Sequence, residues 1–391
     1  MGWEGSRKNC RIFIKIIMEN KKILIISAAF YPENSPRSFR TTELAKELAL
    51  KGNNITVISC LEDFDYTDFL EKYPIRLVSM GKVSSTFGNN KKSKITSILY
   101  RIVNRLLYQL LDYPDISLYY KIKKVLKKEN KFDAIISVAA PHVIHWGVSN
   151  AIKKNPKLSK IWIADCGDPY MGSTLQNFSR PFYFMFFEKA FCNRCNYITV
   201  PIKEAKAAYY KEFHYKIKEI PQGFSFKEIE NSIKRRHDTV SNFAYAGGLA
   251  LKGVRSPFAL LEMLTNINEP FVFTIYSNNI QIIPQTIINN LGSKLILVEG
   301  ISRDKLLVEL STYHFLINFD NGTAVQAPSK LIDYTLSGRP ILNIEPNFPK
   351  SEVIVSFIKG NYDGQYVLSD IEKYNIENVA NNFLKLVNAN K

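Results

Sequence analysis

The chain of 391 residues is poor in the residue types that build disulfide scaffolds and histidine sites: five cysteines, five histidines and three tryptophans. An odd cysteine count with no secretory leader argues against a disulfide framework and fits a reducing compartment. The lone C-x-x-C, Cys192 with Cys195, has no second pair and no histidine at finger spacing. It reads as two ordinary thiols on a helix in preference to a zinc or redox site. Long apolar runs are also missing. The longest, residues 12–17 and 181–187, fall far short of the roughly 18 residues that cross a bilayer, so a soluble or surface-bound protein is expected. Acidic residues are scarce, 36 Asp+Glu against 52 Lys+Arg, a net charge of +16. With 46% hydrophobic and 23% charged residues the chain is an ordinary globular one, and its length suits two or three domains.

The positive charge is concentrated. Residues 91–131 hold eleven Lys/Arg against three acids, a net +8, and residues 1–22 hold six against two. The first stretch also carries Ile95, Ile98, Leu99, Ile102, Val103, Leu106, Leu107, Leu110 and Leu111 at helical spacing, with Arg101 and Arg105 off the stripe and Pro114 beyond its end. One reading is a core-facing helix with a solvated basic side. The other is a helix on an anionic leaflet, with Arg101, Arg105, Leu106, Leu107 and Leu110 as the contact. Nucleic acid is the weaker partner, because no binding motif accompanies the charge. Met18 directly precedes the first strand pattern, so residues 1–20 are read as a non-native or disordered extension.

From residue 21 strand and helix patterns alternate. Strands are expected at 23–27, 55–60, 134–138, 161–164, 198–200 and 217–223, with helices at 41–51, 143–153 and from Lys203. After a polar, charged linker at 226–240 the alternation restarts at 243–246 and continues to a strand at 340–344. The fold class is therefore α/β, with parallel sheets covered on both faces. The domains are 21–225 and 241–375, with a last helix near 376–387 packing back on the first domain. Ligands of such sheets sit beyond the carboxyl ends of the strands, so the loops leaving them are the places to look.

Two loops carry anion-binding chemistry. In residues 327–341 (APSKLIDYTLSGRPI) a helix begins at Pro328–Ser329 and stops at Gly338. Free N–H groups of its first turn and the Lys330 ammonium suit a phosphate, and Asp333, one turn on, suits ribose hydroxyls. A well-capped helix with surface Lys and Asp is the plainer alternative. In residues 245–255 (YAGGLALKGVR), Gly247 and Gly248 follow a strand and let backbone approach a ligand. Lys252 and Arg255 lie just beyond, and a planar guanidinium suits two phosphate oxygens. Neither loop is a dinucleotide fingerprint or a P-loop.

These motifs, with others, resemble a GT-B nucleotide-sugar glycosyltransferase of glycosyltransferase family four. Residues 23–56 are similar to that family's opening, with the FYPEN loop ending at Asn34, Arg40, and then LAKELALKG. Pro141-His142 and His145 resemble its proline-histidine loop. Asp165-Cys-Gly-Asp168-Pro-Tyr resembles its Asp-x-Arg-Asp-Pro-Trp motif, and residues 220–224 its entry to the interdomain linker. The resemblance covers roughly 21–345.

The resemblance implies two facing Rossmann-like domains with the reaction in the cleft between them. The second would hold a nucleotide sugar, UDP-linked, and the first a saccharide or lipid-linked saccharide acceptor for cell-surface polysaccharide synthesis. Arg255 and Lys330 would stabilise the leaving diphosphate, with His142 facing the sugar and Asp168, Arg40, Asn34 and His145 bordering the acceptor side. Gly247, Gly248, Ser329 and Asp333 would bind the donor, and Gly300 and Ser302 would border the base. The family implies retention of configuration and no metal or other cofactor, and no aspartate-rich metal motif is present. The basic helix would hold the enzyme peripherally on the cytoplasmic face of the inner membrane.

The sequence departs from the family in three places. Val325 stands at the first of two motif glutamates and Asp333 at the second, which shifts sugar recognition toward Asn321 or Gln326. Gly167 replaces the motif arginine, so its salt bridge is expected to be lost. Asn53 replaces a common histidine. A nucleotide-sugar epimerase of the same fold and a non-catalytic glycan-assembly partner are the alternative functions.

Overall fold

The computed structural model describes residues 20–33, 35–83, 94–172, 180–226, 239–320 and 329–389; of 94–99, Asp304 and Ser329 only the backbone is described. Apolar runs without alternation become strands buried on both faces. Seven of them, β1 (Lys22–Ser27), β2 (Asn54–Ser59), β3 (Ile75–Ser79), β4 (Phe132–Ala139), β5 (Ser159–Cys166), β6 (Tyr197–Val200) and β7 (Ile217–Glu219), form one sheet in the order 3-2-1-4-5-6-7. Five more, β8 (Ser241–Ala246), β9 (Phe271–Tyr276), β10 (Leu295–Val298), β11 (Phe315–Phe319) and β12 (Ile341–Ile344), form a second in the order 10-9-8-11-12. The pairings run parallel throughout both sheets, for example Ile23 beside Ile55 and Ala134, and Tyr245 beside Ile275. Strand order reverses between β1 and β4 and again between β8 and β11. Such reversals open a crevice at the carboxyl ends of the strands.

Helices cover the sheets. In the first domain they are α1 (Pro36–Leu50), α2 (Thr67–Lys72), α3 (Lys94–Leu111), α4 (Ile116–Leu126), α5 (Val143–Lys154) and α6 (Phe184–Arg194). One face of its sheet packs α4, α5 and α6 through Leu118, Ile122, Val143, Trp146 and Phe191. The other packs α1 through Leu44, Ala45 and Leu48. In the second domain α7 (Phe258–Leu264), α8 (Gln285–Leu291) and α11 (Ser351–Ile358) cover one face, and α9 (Arg303–Leu310) and α10 (Ser329–Leu336) the other. The final helix, α12 (Ile376–Asn388), returns to the first domain, where Ile376, Val379, Phe383 and Leu384 complete the core layer built on α1.

The chain thus crosses between the domains twice, and the crossings hold each other. Phe224 N–H donates to the Tyr374 carbonyl at 2.8 Å, and Ile376 N–H to the Phe224 carbonyl at 2.9 Å. A Cβ at Gly223 would lie 2.5 Å from Ile376 Cδ1 and 3.2 Å from its Cα, so glycine eases that approach.

Two local expectations are corrected. The helix expected from residue 41 starts at Pro36, because Ser35 accepts the Ser38 N–H at 3.2 Å and proline suits the first helical position. The helix expected from Lys203 is a 3-10 segment, Lys203–Ala208. The 203–208 stretch buries no side chain, so nothing holds a longer helix there. Between β2 and the basic stretch the chain also forms α2 and the edge strand β3, in which Arg76 is exposed.

Candidate active site

The loop after β8 is held as a rigid shelf. Gly247 has φ +153° and its N–H donates to the Tyr276 carbonyl at 3.0 Å. The Tyr245 hydroxyl donates to the Gly248 carbonyl at 2.9 Å. Asn279 grips both sides of Leu249, accepting its N–H at 3.0 Å and donating to its carbonyl at 2.5 Å. Ala250 N–H donates to the Arg255 carbonyl at 2.9 Å, which closes the loop and brings the guanidinium over Gly248.

Lys330, in the first turn of α10, meets this shelf. Its ammonium lies 4.7 Å from the centre of the Tyr245 ring. Burial and the nearby Arg255 charge hold Lys330 down to about 7, against an ordinary value of 10.5. Among the described residues neither cation has a carboxylate partner. A partly desolvated lysine beside an exposed arginine, neither balanced by a carboxylate, forms a site suited to an anion.

Asp333 is engaged differently from the expected ribose contact. Its carboxylate Oδ1 accepts from Arg303 Nη2 at 2.5 Å and Nε at 3.0 Å, and Arg303 stacks over Phe224 at 4.7 Å. Burial raises the Asp333 carboxyl, with Arg303 opposing. Gly300 and Ser302 are exposed, Gly300 where a side chain would meet Asn278 at 1.8 Å and Ser302 just before α9. Ser329 opens α10, its side chain outside the described set; Asn34 and Gln326, with Asn321 and Val325, lie outside the described residues altogether.

On the first domain, the loops after β4 and β5 bring His142 and Asp168 together in a pocket of about 390 Å³, walled also by Pro141, Tyr170, Tyr108, Asp112, Asp115 and Arg180. His142 Nε2 donates to the Asp168 carbonyl at 3.0 Å. A carbonyl only accepts, so the ring proton sits on Nε2 and Nδ1 is left as the acceptor. Burial, reinforced by His145, pushes His142 well below its ordinary value, so the imidazole is neutral. Arg180 donates to Asp112 at 2.8 Å and to the Tyr108 hydroxyl at 2.8 Å, while burial lifts the Asp112 carboxyl to about 6.

Two expected acceptor residues do not face this pocket. Arg40 is buried, with Nε and Nη2 clamping Asp165 at 2.8 and 2.7 Å and further bonds to the Pro221 and Ile220 carbonyls. It ties β5 to the chain leaving the first domain. His145 is fully buried: Trp162 donates to Ser137 Oγ, Ser137 lies 2.8 Å from His145 Nδ1, and Cys166 lies 3.4 Å from Nε2. Burial holds His145 at about 3, so it stays neutral inside the core.

Glycine at 167 makes no salt bridge itself, but the space beside it is filled. Arg37, in the first turn of α1, occupies that space, its Nη1 1.7 Å from where a Cβ on residue 167 would lie. Its Nη2 donates to the Asp168 carboxylate at 2.5 Å. The guanidinium comes from another element, and glycine at 167 makes room for it. A serine-proline pair before Arg37 was the sequence signal that placed it in a helix's first turn. Cys192 and Cys195 are buried thiols that burial raises, Cys195 to about 12, so neither is a thiolate.

A further pocket of about 490 Å³ links the domains. It is lined by Tyr31, Phe64, Phe69 and Tyr73, with Glu43, Asp65 and Asp68, and by Ser302 and Arg303 from the second domain. Tyr31 stacks on Phe69 at 5.2 Å and meets Phe64 edge-on. Aromatic faces beside carboxylates suit a polyhydroxylated ligand.

α3 stands apart from both core layers. Leu106 and Leu110 are 53% and 48% exposed, Ile102 and Leu111 are exposed as well, Leu107 is half-buried, and Arg101 and Arg105 lie in solvent. No helix among the described residues is long and apolar enough to cross a membrane.

No family model and no curated protein matches the sequence. Solved structures do resemble the fold. A glycosyltransferase from Rickettsia africae superposes with a TM-score of 0.61 at 12% identity, covering 95% of this chain and 100% of its own. The lipopolysaccharide outer core galactosyltransferase WaaB gives 0.56 at 13% identity, with coverage of 95% and 100%. A UDP-GlcNAc 2-epimerase from Neisseria meningitidis, bound to UDP-GlcNAc, gives 0.52 at 14%, with 94% and 99%. The fold is therefore GT-B, two parallel-sheet Rossmann-like domains facing across a cleft.

Proposed function

We propose that the chain is a retaining glycosyltransferase that moves a sugar from a UDP-sugar to a lipid-linked saccharide at the cytoplasmic face of the inner membrane. The observation that carries this reading is the pairing of Arg255 with the pKa-depressed Lys330 over the Gly247–Gly248 shelf. The diphosphate lies on that shelf, against the first turn of α10. The bond from the anomeric carbon to the β-phosphate oxygen breaks, the bond to the acceptor oxygen forms on the same face, and the acceptor hydroxyl's proton passes to the departing β-phosphate oxygen. Charge grows on the departing diphosphate, and two cations preorganised there act chiefly on the transition state. Neutral His142 faces the sugar with an acceptor nitrogen, and Arg37 fixes the Asp168 side chain beside it. In this reading Arg255 and Lys330 supply the positive charge a metal ion would bring. The likeness to WaaB and to the Rickettsia enzyme supports a transferase, and the exposed basic helix α3 supports a membrane-bound acceptor.

The test is release of UDP from UDP-sugars in the presence of a lipid extract, with Arg255→Ala and Lys330→Ala as controls. Turnover must fall by about two orders of magnitude in folded variants; unchanged turnover in both sinks the assignment. The likeness to an epimerase keeps a second reading open, and incubation of UDP-sugars without acceptor separates it by the appearance of a sugar isomer.

A further inference from the structure

The exposed apolar stripe of α3 does not end with the helix. Arg180 reaches back to its last turn, bonding the Tyr108 hydroxyl and Asp112 and lying 4.6 Å over the Tyr108 ring. Three residues on, the Tyr183 hydroxyl donates to the Leu110 carbonyl. These bonds set the start of α6 against the end of α3, and between and just beyond them come Phe182 and Phe186, 74% and 62% exposed. Large aromatics at such exposure, on the element bonded to the end of α3, add an apolar surface that water alone does not favour.

We propose that α3 and the start of α6 form one bilayer-contact face, with Phe182 and Phe186 as aromatic anchors in the interface of an anionic leaflet. The inference rests on the membrane reading of α3 and extends it to a second element. Charge selects the occupant. Residues 94–111, the whole of α3, carry Lys94, Arg101 and Arg105 and no acid, and Asp112 just beyond is paired with Arg180. A second copy of so basic a face is repelled, whereas acidic headgroups are attracted. Phenylalanine and leucine then enter the headgroup–acyl boundary beside arginine. The face also has a place in the reaction. Tyr108, Asp112 and Arg180, which join the two elements, wall the pocket that holds His142 and Asp168. An acceptor anchored in the leaflet therefore presents its saccharide to that pocket between α3 and α6 without leaving the membrane surface.

The experiment is co-sedimentation of the full chain with phosphatidylcholine vesicles, with and without phosphatidylglycerol, for the wild type, Phe182→Ser/Phe186→Ser and Leu106→Ser/Leu110→Ser. Thermal melts with and without UDP accompany each. The wild type is expected to need phosphatidylglycerol, and each double variant to lose about tenfold or more in partitioning with its UDP-induced shift intact. Unchanged partitioning of Phe182→Ser/Phe186→Ser overturns the proposal, as does binding indifferent to phosphatidylglycerol. Self-association of the wild type that this variant abolishes, with no vesicle binding, also overturns it and assigns the face to a second copy. If the double variant does not fold, Phe182→Ser alone is read by the same criterion. Absence of any UDP shift in the wild type refutes the donor site and leaves the vesicle result standing.

Discussion

With the diphosphate placed beside Lys330 as proposed, UDP binding is expected to be a proton-coupled event. Without ligand its ammonium titrates at about 7, held down by burial and then by Arg255. A diphosphate beside it favours the charged form and returns the group toward its ordinary value of about 10.4. The complex therefore binds more protons than the free protein between these values, and affinity falls as pH rises through that window. Around neutral pH part of the free lysine is deprotonated, so binding takes up a fraction of a proton that grows as pH rises through 7. The upper bound on the coupling is about 4–5 kcal/mol, reduced by whatever solvent reaches the ammonium. UDP is a suitable probe between pH 7 and 8.5, because its terminal phosphate, with a second pKa near 6, is already ionised. Titration calorimetry in two buffers of different ionisation enthalpy reads the proton directly. Lys330→Met must abolish the uptake and weaken binding. Its unliganded melt tests the same point independently. A lysine depressed in the folded state makes stability rise with pH between about 7 and 10.4, so the apolar variant gains most below pH 7, by about 1–2 kcal/mol. Heats independent of buffer, together with flat affinity across the range, refute the pairing of this lysine with the diphosphate.

Three other substitutions probe the supports. Asn279→Ala frees both backbone groups of Leu249, and the UDP dissociation constant is expected to rise about fivefold to tenfold with little change in melting temperature. Gly167→Arg alone collides with Arg37 and should lower both stability and turnover, whereas Arg37→Ala/Gly167→Arg should recover much of each; a double variant no better than the single one refutes the shared-space reading. Arg40→Ala leaves the buried Asp165 carboxylate without its clamp and should cost about 3–5 kcal/mol in denaturant unfolding. An effect confined to acceptor KM would instead restore Arg40 to the site.

The sheet-forming runs and most helices were legible because each is a local pattern of apolar residues. The places of Gly247, Gly248, Arg255 and Lys330, in the loop after β8 and the first turn of α10, were legible too, because turn glycines and helix starts leave short signatures. What a linear pattern cannot carry is which partner a charged residue finds. Arg40 and Asp165, 125 residues apart, look like two site residues until folding clamps them together. Asp333 suits a ribose until Arg303 arrives from another helix. The arginine missing at 167 is replaced in space by Arg37, from another element. The apolar stripe of α3 was visible from its spacing, but its union with Phe182 and Phe186 depends on bonds from Arg180 and Tyr183.

The return of α12 to the first domain bears on how the chain folds during synthesis. Six of its thirteen residues are buried, among them Phe383 at zero exposure in a layer with Ile25, Leu44 and Ile136. The ribosome makes those residues only after the entire second domain. Domains usually fold as units from the N-terminal side, yet here the earlier unit waits for a piece made later. The part of its sheet face beside α1 meanwhile stays uncovered, a surface for chaperones to guard, and the second domain has time to fold first. Order of synthesis and order of completion are thereby reversed.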